Sequence, residues 1–461
     1  MNHLSADLFS RNAREVAIDA LHAATAIYTC EPVVDKLLDH VRWPSGARSL
    51  VDTSCGDGAF LQRALERLLQ LQPGLFDDAV LERLSGWEIH PFAADQARRR
   101  LAEVLTEHGY PPARAEALAD RMVRCGDFLT EGPRTPSFDA VVGNPPYLRM
   151  LHVPQPLRAE YQRELPDYAQ ADLLHSFLDR CARVLRRGGE LAMVTADRWL
   201  LNSGAAQLRA AIGAHFRLAH LERIDVASAF YRPKQRRAGT PPRVHPCAVV
   251  LNASSGAPIT RAPIYPGGAV LSPPVSGLTL GDVANVRIGP WLGTPGIFLV
   301  DAGIAARLPE TALVPAVDTD DIRGGLLREP TRRAILTTPD ARPEQAVLDH
   351  LEREMPRMCA RGKRPQSPWL PPEPFHKFDL SQPSLLVPRI AKSLRPVLVP
   401  AGVLAVNHNI SIVRSREWSL EKIAGRLASP EFDAWIRVAA APLEGGYLSI
   451  TTRLLRRLPI S

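Results

Sequence analysis

The 461 residues are 45% apolar and 23% charged, with a formal net charge of +7 and a pI near 9.2. That length holds two or three domains, and the mildly basic balance favours an anionic partner such as nucleic acid. The six cysteines (Cys30, Cys55, Cys125, Cys181, Cys247, Cys359) form no Cys-x-x-Cys pair and no histidines cluster at zinc spacing, so the thiols read as reduced ones in a cytosolic protein. Met1 to Arg14 is polar and mixed in charge, unlike a signal peptide, and no apolar run approaches membrane-spanning length, so no membrane partner is expected.

Arg14 to Ala26 lacks Gly and Pro and reads as a helix. In the following Ile27-Tyr28-Thr29-Cys30-Glu31-Pro32, Thr29 is placed to cap a second helix with Pro32 in its early turn and Val33, Leu37 and Leu38 on one face. A short apolar strand, Ser49 to Asp52, then runs into a glycine-containing turn and an amphipathic helix bearing Leu61, Leu65, Leu68 and Leu69. Gly56 and Gly58 let the backbone approach a ligand, and the helix start presents free N–H groups. The Gly-Lys-Ser/Thr ending of a phosphate loop is missing, and Asp52 at the strand end suits a cationic ligand instead.

Leu84 to Ile89 reads as a second strand ending in Glu88, the place where nucleotide-binding α/β folds take ribose hydroxyls, with Ile89 beside the base. A third strand ends at Cys125-Gly126-Asp127-Phe128. A fourth, from Phe138 to Val142, is broken by Gly143 and then two prolines. Each proline fixes its own φ and drives the residue before it towards an extended conformation. Asn144 and the Pro145 carbonyl are therefore held on a stiff loop at the carboxyl end of a strand, where α/β sheets bind ligands. The loop offers two acceptors and the aromatic face of Tyr147. That set suits a flat ring with an exocyclic amino group.

Asp172 to Arg187 has the pattern of a helix stopped by Gly188-Gly189, followed by a strand from Glu190 to Thr195 and a further helix after Leu200. Val226 to Arg237 brings Phe230 and Tyr231 against Arg232, Lys234, Arg236 and Arg237, a mix that suits a nucleic-acid strand. Cys247 to Leu251 reads as the strand that closes the sheet. From about Asn252 the texture turns to Ser/Gly/Pro-rich loops and short β-like runs (Val283 to Ile288, Ile297 to Val300), marking a domain boundary. Asp318, Asp320 and Asp321 read as a turn. Met358 to Arg395 is dense in cations and aromatics (Arg361, Lys363, Arg364, Trp369, Phe375, His376, Lys377, Phe378, Arg389, Lys392, Arg395) and as a set suits a groove-binding face. Trp418 to Arg437 reads as helical.

Asn144-Pro145-Pro146-Tyr147 resembles the Asn-Pro-Pro-Tyr motif of amino-methyltransferases that use S-adenosylmethionine. The run from Asp52 to Phe60 resembles their cofactor motif, with Thr53 in place of the usual proline. Tyr28-Thr29-Cys30 resembles their Tyr-Thr-Pro segment, with Cys30 at the proline position. In this order, over roughly residues 20–251, the motifs are similar to those of γ-class adenine-specific (N6) DNA methyltransferases of type II, Eco57I-like restriction-modification systems.

The resemblance implies a doubly wound, seven-stranded Rossmann-like α/β sheet in a catalytic domain (1–255) and a mixed α+β target-recognition domain (256–461). It implies S-adenosyl-L-methionine as cofactor, held by Tyr28, Thr29, Asp52, Cys55, Gly56, Gly58, Glu88, Ile89, Asp127 and Phe128. The catalytic set would be Asn144 and Pro145 as acceptors of the adenine amino group, with Tyr147 and Phe230 stacking on the ring and Tyr231 as the second choice to Phe230. Double-stranded DNA would be the partner, and any cleavage would fall to a separate restriction endonuclease. The rival readings are a protein-glutamine or RNA amino-methyltransferase, which can use the same loop, and a non-catalytic DNA-specificity subunit.

Overall fold

The structure, a computed structural model, describes residues 2–71, 77–225, 229–231, 245–264, 266, 277–323, 325–358, 367–443 and 447–460. The chain divides into two compact units, Met1–Val270 and Leu271–Ser461.

In the first unit a long helix α1 (Asn2–Thr25) leads into the two-residue strand β1 (Tyr28–Thr29) and helix α2 (Glu31–Leu38). There follow β2 (Leu50–Asp52), α3 (Ala59–Gln70), α4 (Asp78–Leu81), β3 (Leu84–Glu88), α5 (Pro91–Glu107), α6 (Pro112–Met122) and β4 (Val123–Cys125). The chain continues through α7 (Phe128–Glu131), β5 (Phe138–Gly143), α8 (Gln155–Glu164), α9 (Leu173–Val184) and β6 (Leu185–Ala196). Next come α10 (Arg198–Leu201), α11 (Ala206–Gly213), β7 (Arg217–Arg223), β8 (Phe230–Tyr231), β9 (Pro246–Asn252) and β10 (Ala257–Pro258).

The sheet order is β10-β7-β9-β6-β5-β2-β3-β4. β4, β3, β2, β5 and β6 are mutually parallel, and β9 runs antiparallel to both β6 and β7. The pleat sends alternate residues of one strand to opposite faces. Val141 enters a core under α1, α8, α9 and α11, whereas Ala140 and Val142 enter a second core under α2, α3, α5 and α6. Burial on both faces is why these strands read as continuous apolar runs.

Several expectations for the first unit need correction. The sheet has eight strands rather than seven, because Ala257–Pro258 adds a short edge beside β7. Cys247 to Leu251 forms the expected strand, which lies between β6 and β7. Thr29 does not cap α2: its backbone pairs with Phe230 in β8, and Cys30 takes the cap position without a side-chain hydrogen bond. α9 ends at Val184, before the glycine pair, and is capped by Asp172 accepting from Leu174 N. Gly188-Gly189 falls inside β6, where the register against β5 shifts.

The second unit contains a four-stranded antiparallel sheet (Ala284–Ile288, Ile410–Ser415, Ser384–Pro388, Val397–Val399) and a second four-stranded sheet (Leu299–Asp301, Arg332–Ile335, Leu313–Val317, Leu404–Ala405). The three aspartates do form a turn: Asp318 caps it, and Arg332 pairs with both Asp318 and Asp321. Ser429 and Pro430 split the expected C-terminal helix into Leu420–Leu427 and Pro430–Ala439. The expected basic and aromatic face is only partly a face. Phe375 is 2% exposed in the core, Trp369 donates to Thr338 O, and Phe378 lies beneath Arg287. Lys377, Lys392 and Arg395 are exposed, while Arg361, Lys363, Arg364 and Cys359 lie outside the described residues, as do Arg232, Lys234, Arg236 and Arg237.

Candidate active site

Strand order reverses between β2 and β5, and the carboxyl ends of β2, β3, β4 and β5 meet at that switch point. There a cleft with about 850 Å³ of atom-free space, its open mouth included, is lined by residues from each of these strand ends. β2 delivers Asp52, which is 1% exposed and whose Oδ1 accepts from Ser54 N at 3.1 Å. β5 passes so close that a Cβ on Gly143, where φ is 138°, would come within 2.4 Å of Asp52 Oδ1. β3 delivers Glu88, whose two oxygens accept from Gly56 N at 3.0 Å and His90 N at 2.9 Å. Asp127 caps α7 by accepting from Leu129 N at 2.9 Å.

The cleft brings together Tyr28, Thr29, Asp52, Cys55, Gly56, Glu88, Ile89, Asp127, Phe128 and Asn144 from the sequence expectations. Gly58, Pro145, Tyr147 and Phe230 do not line it. Gly58 sits one step back, at the start of α3. Pro145 is buried, and Pro146 rather than Pro145 contributes to the wall. Tyr147 is packed against the core, with its hydroxyl donating to Asn144 Oδ1 and lying 2.9 Å from Val194 O. Phe230 packs against the apolar cluster that includes Val34, Leu37 and Leu38 of α2.

The cleft also uses residues that sequence reasoning missed. α1 contributes Leu21, His22 and Thr25, Asp57 comes from the glycine turn, Tyr161 from α8, and Leu173 and Phe177 from α9. α1 is secured by Arg14 to Glu160 at 3.3 Å and by His90 to Asp19 at 3.1 Å. Only the position of Asp57 between two glycines, inside the cofactor-like run, could have signalled its place. The others come from helices whose inward faces read simply as core.

Phe128 is 2% exposed and sits edge-to-face with Trp87 (5.8 Å) and nearly parallel to Phe177 (6.4 Å). Phe128 and Phe177 line the Asp127 end of the cleft with Ile89 as an apolar slot. Burial raises the carboxyls of the cleft: Asp52 is pushed up to about 8 against the pull of the Ser54 amide, and Asp127 to about 6. Glu88 is raised as well, again by burial and against the backbone amides of His90, Gly56 and Ile89. Such crowding favours a cation, which would relieve the cost of ionising these groups. Thr29 Oγ1, Ser54 Oγ and Asp127 Oδ2 are buried in the cleft wall without hydrogen-bond partners. The Tyr161 hydroxyl neighbours the Asp127 carboxyl but makes no directed hydrogen bond to Oδ2. A native wall keeps few such orphans unless a ligand meets them. Acids and orphaned acceptors beside an aromatic slot fit a ligand with cationic groups at one end and an amino-bearing ring at the other. Among the described residues no helix is long and apolar enough to cross a membrane.

The model of the Eco57I restriction-modification methylase family matches residues 84–230, the stretch from β3 through β8. The chain is 27% identical over 512 residues to the type II methyltransferase M.PaeR7I of Pseudomonas aeruginosa, covering 95% of this chain and 86% of the relative. It is 26% identical to the type II methyltransferase M.XhoI of Xanthomonas vasicola, covering 94% and 90%. Among solved structures it is similar to the type IIL restriction-modification enzyme MmeI in complex with DNA, with a TM-score of 0.59 and 15% identity. That likeness covers 98% of this chain but 66% of MmeI, just under two thirds of that longer protein, and it concerns the fold.

Proposed function

We propose that this chain, which resembles the Eco57I restriction-modification methylases, is a site-specific DNA adenine methyltransferase. One observation carries the reading: Asn144 reaches the same cleft as Asp52, Glu88 and Asp127, so an amide acceptor borders a site built for a cation. The cofactor is S-adenosyl-L-methionine. When bound, it supplies an activated methyl group on a sulfonium leaving group. Asp52 and the Cys55–Gly58 turn face its charged end, Glu88 takes the ribose hydroxyls, and Asp127 with Ile89 and Phe128 takes the adenine ring.

The aromatic amino group of a target adenine is a poor nucleophile, since its lone pair is delocalised into the ring. Asn144 Oδ1 and the Pro145 carbonyl accept its two N–H bonds, which localises the lone pair and aims it into the cleft. Catalysis is then largely positioning plus electrostatics. The target atom is inaccessible within the duplex, so the base must leave the stack, at a cost of about a few kcal/mol. Tyr147 supplies one stacking surface, and Phe230 would have to turn out of the apolar cluster it packs against to supply the second. Since both lie outside the cleft wall, the reading requires them to meet the base as it enters. Met1–Val270 performs the chemistry and Leu271–Ser461 reads the DNA sequence, with exposed Lys377, Lys392 and Arg395 contributing phosphate contacts. Any restriction belongs to a separate endonuclease.

The test is transfer of a radiolabelled methyl group from S-adenosylmethionine to unmethylated double-stranded DNA, with RNA and protein offered in parallel. Label in the DNA alone is the expected result. Label in RNA or protein alone would favour the rival amino-methyltransferase reading, and no transfer to any substrate despite cofactor binding would favour a specificity subunit.

A further inference from the structure

β8 ends on Tyr231, whose hydroxyl donates to Asp57 Oδ2. Arg100 Nη2, on α5, donates to the same oxygen at 2.9 Å. Segments far apart in sequence therefore meet on one carboxylate, which is 7% exposed and lines the cleft. The pairing of β1 with β8 sets Tyr28 opposite Tyr231, with the two rings edge-to-face at 5.7 Å. Tyr28 also lies over Gly56, where a Cβ would approach its ring to 2.8 Å. β8 is itself anchored, because Cys30 N donates to Ala229 O at 2.9 Å and Phe230 packs into the opposite, apolar side.

We propose that Tyr231 and Arg100 are positioning residues for the methyl-donor site, holding Asp57 so that the Cys55–Gly58 turn keeps the Gly56 amide aimed at Glu88. The inference rests on the reading of this cleft as an S-adenosylmethionine site. The turn has glycines at positive φ on both sides of Asp57, and glycine gives a turn reach but no stiffness. Stiffness must come from outside, and a charge-assisted bond to Asp57 is the strong kind available. Tyr28 presses on the turn from one side. Tyr231 and Arg100 hold its carboxylate from the other. Burial pushes the Tyr231 phenol up to about 12, so it stays a donor across the working pH range. Asp57 in turn fixes Gly56, whose N–H reaches Glu88 Oε2 at 3.0 Å. The same contacts commit Tyr231 to the cofactor turn and leave it no part in stacking on a target base.

The experiment compares the full-length chain with Tyr231→Phe, Asp57→Asn and the double variant. It measures S-adenosylmethionine affinity by calorimetry and the single-turnover methylation rate at saturating cofactor. Tyr231→Phe should weaken cofactor binding about tenfold, the scale of one charge-assisted hydrogen bond. Its rate at saturation should stay within about twofold of wild type, since only binding is lost. The double variant should bind no worse than Asp57→Asn alone, because the two groups act through one contact. Unchanged affinity in Tyr231→Phe, with wild type binding normally, would overturn this inference alone. Normal affinity with a slowed transfer step would assign Tyr231 to the target base and overturn it too. Failure of wild type to bind the cofactor would overturn the reading of the cleft, and this inference with it.

Discussion

The Tyr147 hydroxyl donates to Asn144 Oδ1 while Asn144 Nδ2 donates to Ile27 O at 3.2 Å, so the amide bordering the cleft is pinned at both ends. A carbonyl oxygen has two lone pairs, and the second remains for a substrate N–H. The hydroxyl has one proton, for which Val194 O at 2.9 Å competes. Tyr147→Phe keeps the ring and removes the pin. Its single-turnover methylation rate should fall about fivefold, the worth of one neutral hydrogen bond, with cofactor affinity unchanged. An unaltered rate would mean that the phenol serves folding alone.

Asn144→Ala should abolish methyl transfer while cofactor and DNA binding persist. Its acceptor acts on the reacting amino group, whereas phosphate contacts supply most DNA affinity. Gel-shift and calorimetric titrations beside single-turnover kinetics separate these quantities. A near-normal transfer rate in the variant would remove Asn144 from the mechanism.

Asp52 sets a pH dependence. Burial holds it near 8 in the ligand-free protein, so at about pH 7 most copies are protonated, and a cationic ligand binds the carboxylate form. Cofactor affinity should therefore rise from about pH 6 to about pH 8 and level off above, with a proton released on binding near neutrality. The sign for stability is the reverse. A folded-state pKa above the unfolded one gives stability that is complete below the unfolded value of about 4 and lost as pH rises through about 8. Ligand-induced thermal stabilisation should then grow with pH over that window. Calorimetry in buffers of different ionisation enthalpy measures the proton release, and its absence would refute the assignment.

Much of this was legible because strand ends carry their own punctuation. Asp52, Glu88, Asp127 and Asn144 each follow a short apolar run and precede a turn or helix start, and the structure brings all of them to one cleft. The aromatics were harder to place. A strand residue's face depends on register, and the β1–β8 pairing that sets Phe230 against an apolar cluster and Tyr231 against Asp57 joins residues about 200 positions apart. The helical contributors, from Leu21 to Phe177, were hidden for another reason: a residue lining an apolar slot has the same periodicity as one lining a core. Composition likewise did not separate Phe375, which is core, from the exposed cations around it.

Gly143→Ala should destabilise the first unit by roughly 1–3 kcal/mol, the scale of strain at a disfavoured backbone conformation, and should also displace Asp52. The added Cβ would sit 2.4 Å from Asp52 Oδ1 on backbone at a φ of 138°. Chemical denaturation measures the first effect and cofactor titration the second. A variant as stable as wild type, with normal cofactor affinity, would show that β5 can shift without disturbing the carboxylate.

Everything proposed for Asn144 turns on which atom of DNA receives the methyl group. DNA incubated with the wild-type chain and S-adenosylmethionine can be digested to nucleosides and analysed by mass spectrometry, with the Asn144→Ala variant as control. N6-methyladenine is expected in the wild-type digest, and its loss in the control. Methylated cytosine in its place, or unmodified nucleosides from a protein that binds both cofactor and DNA, would contradict that proposal.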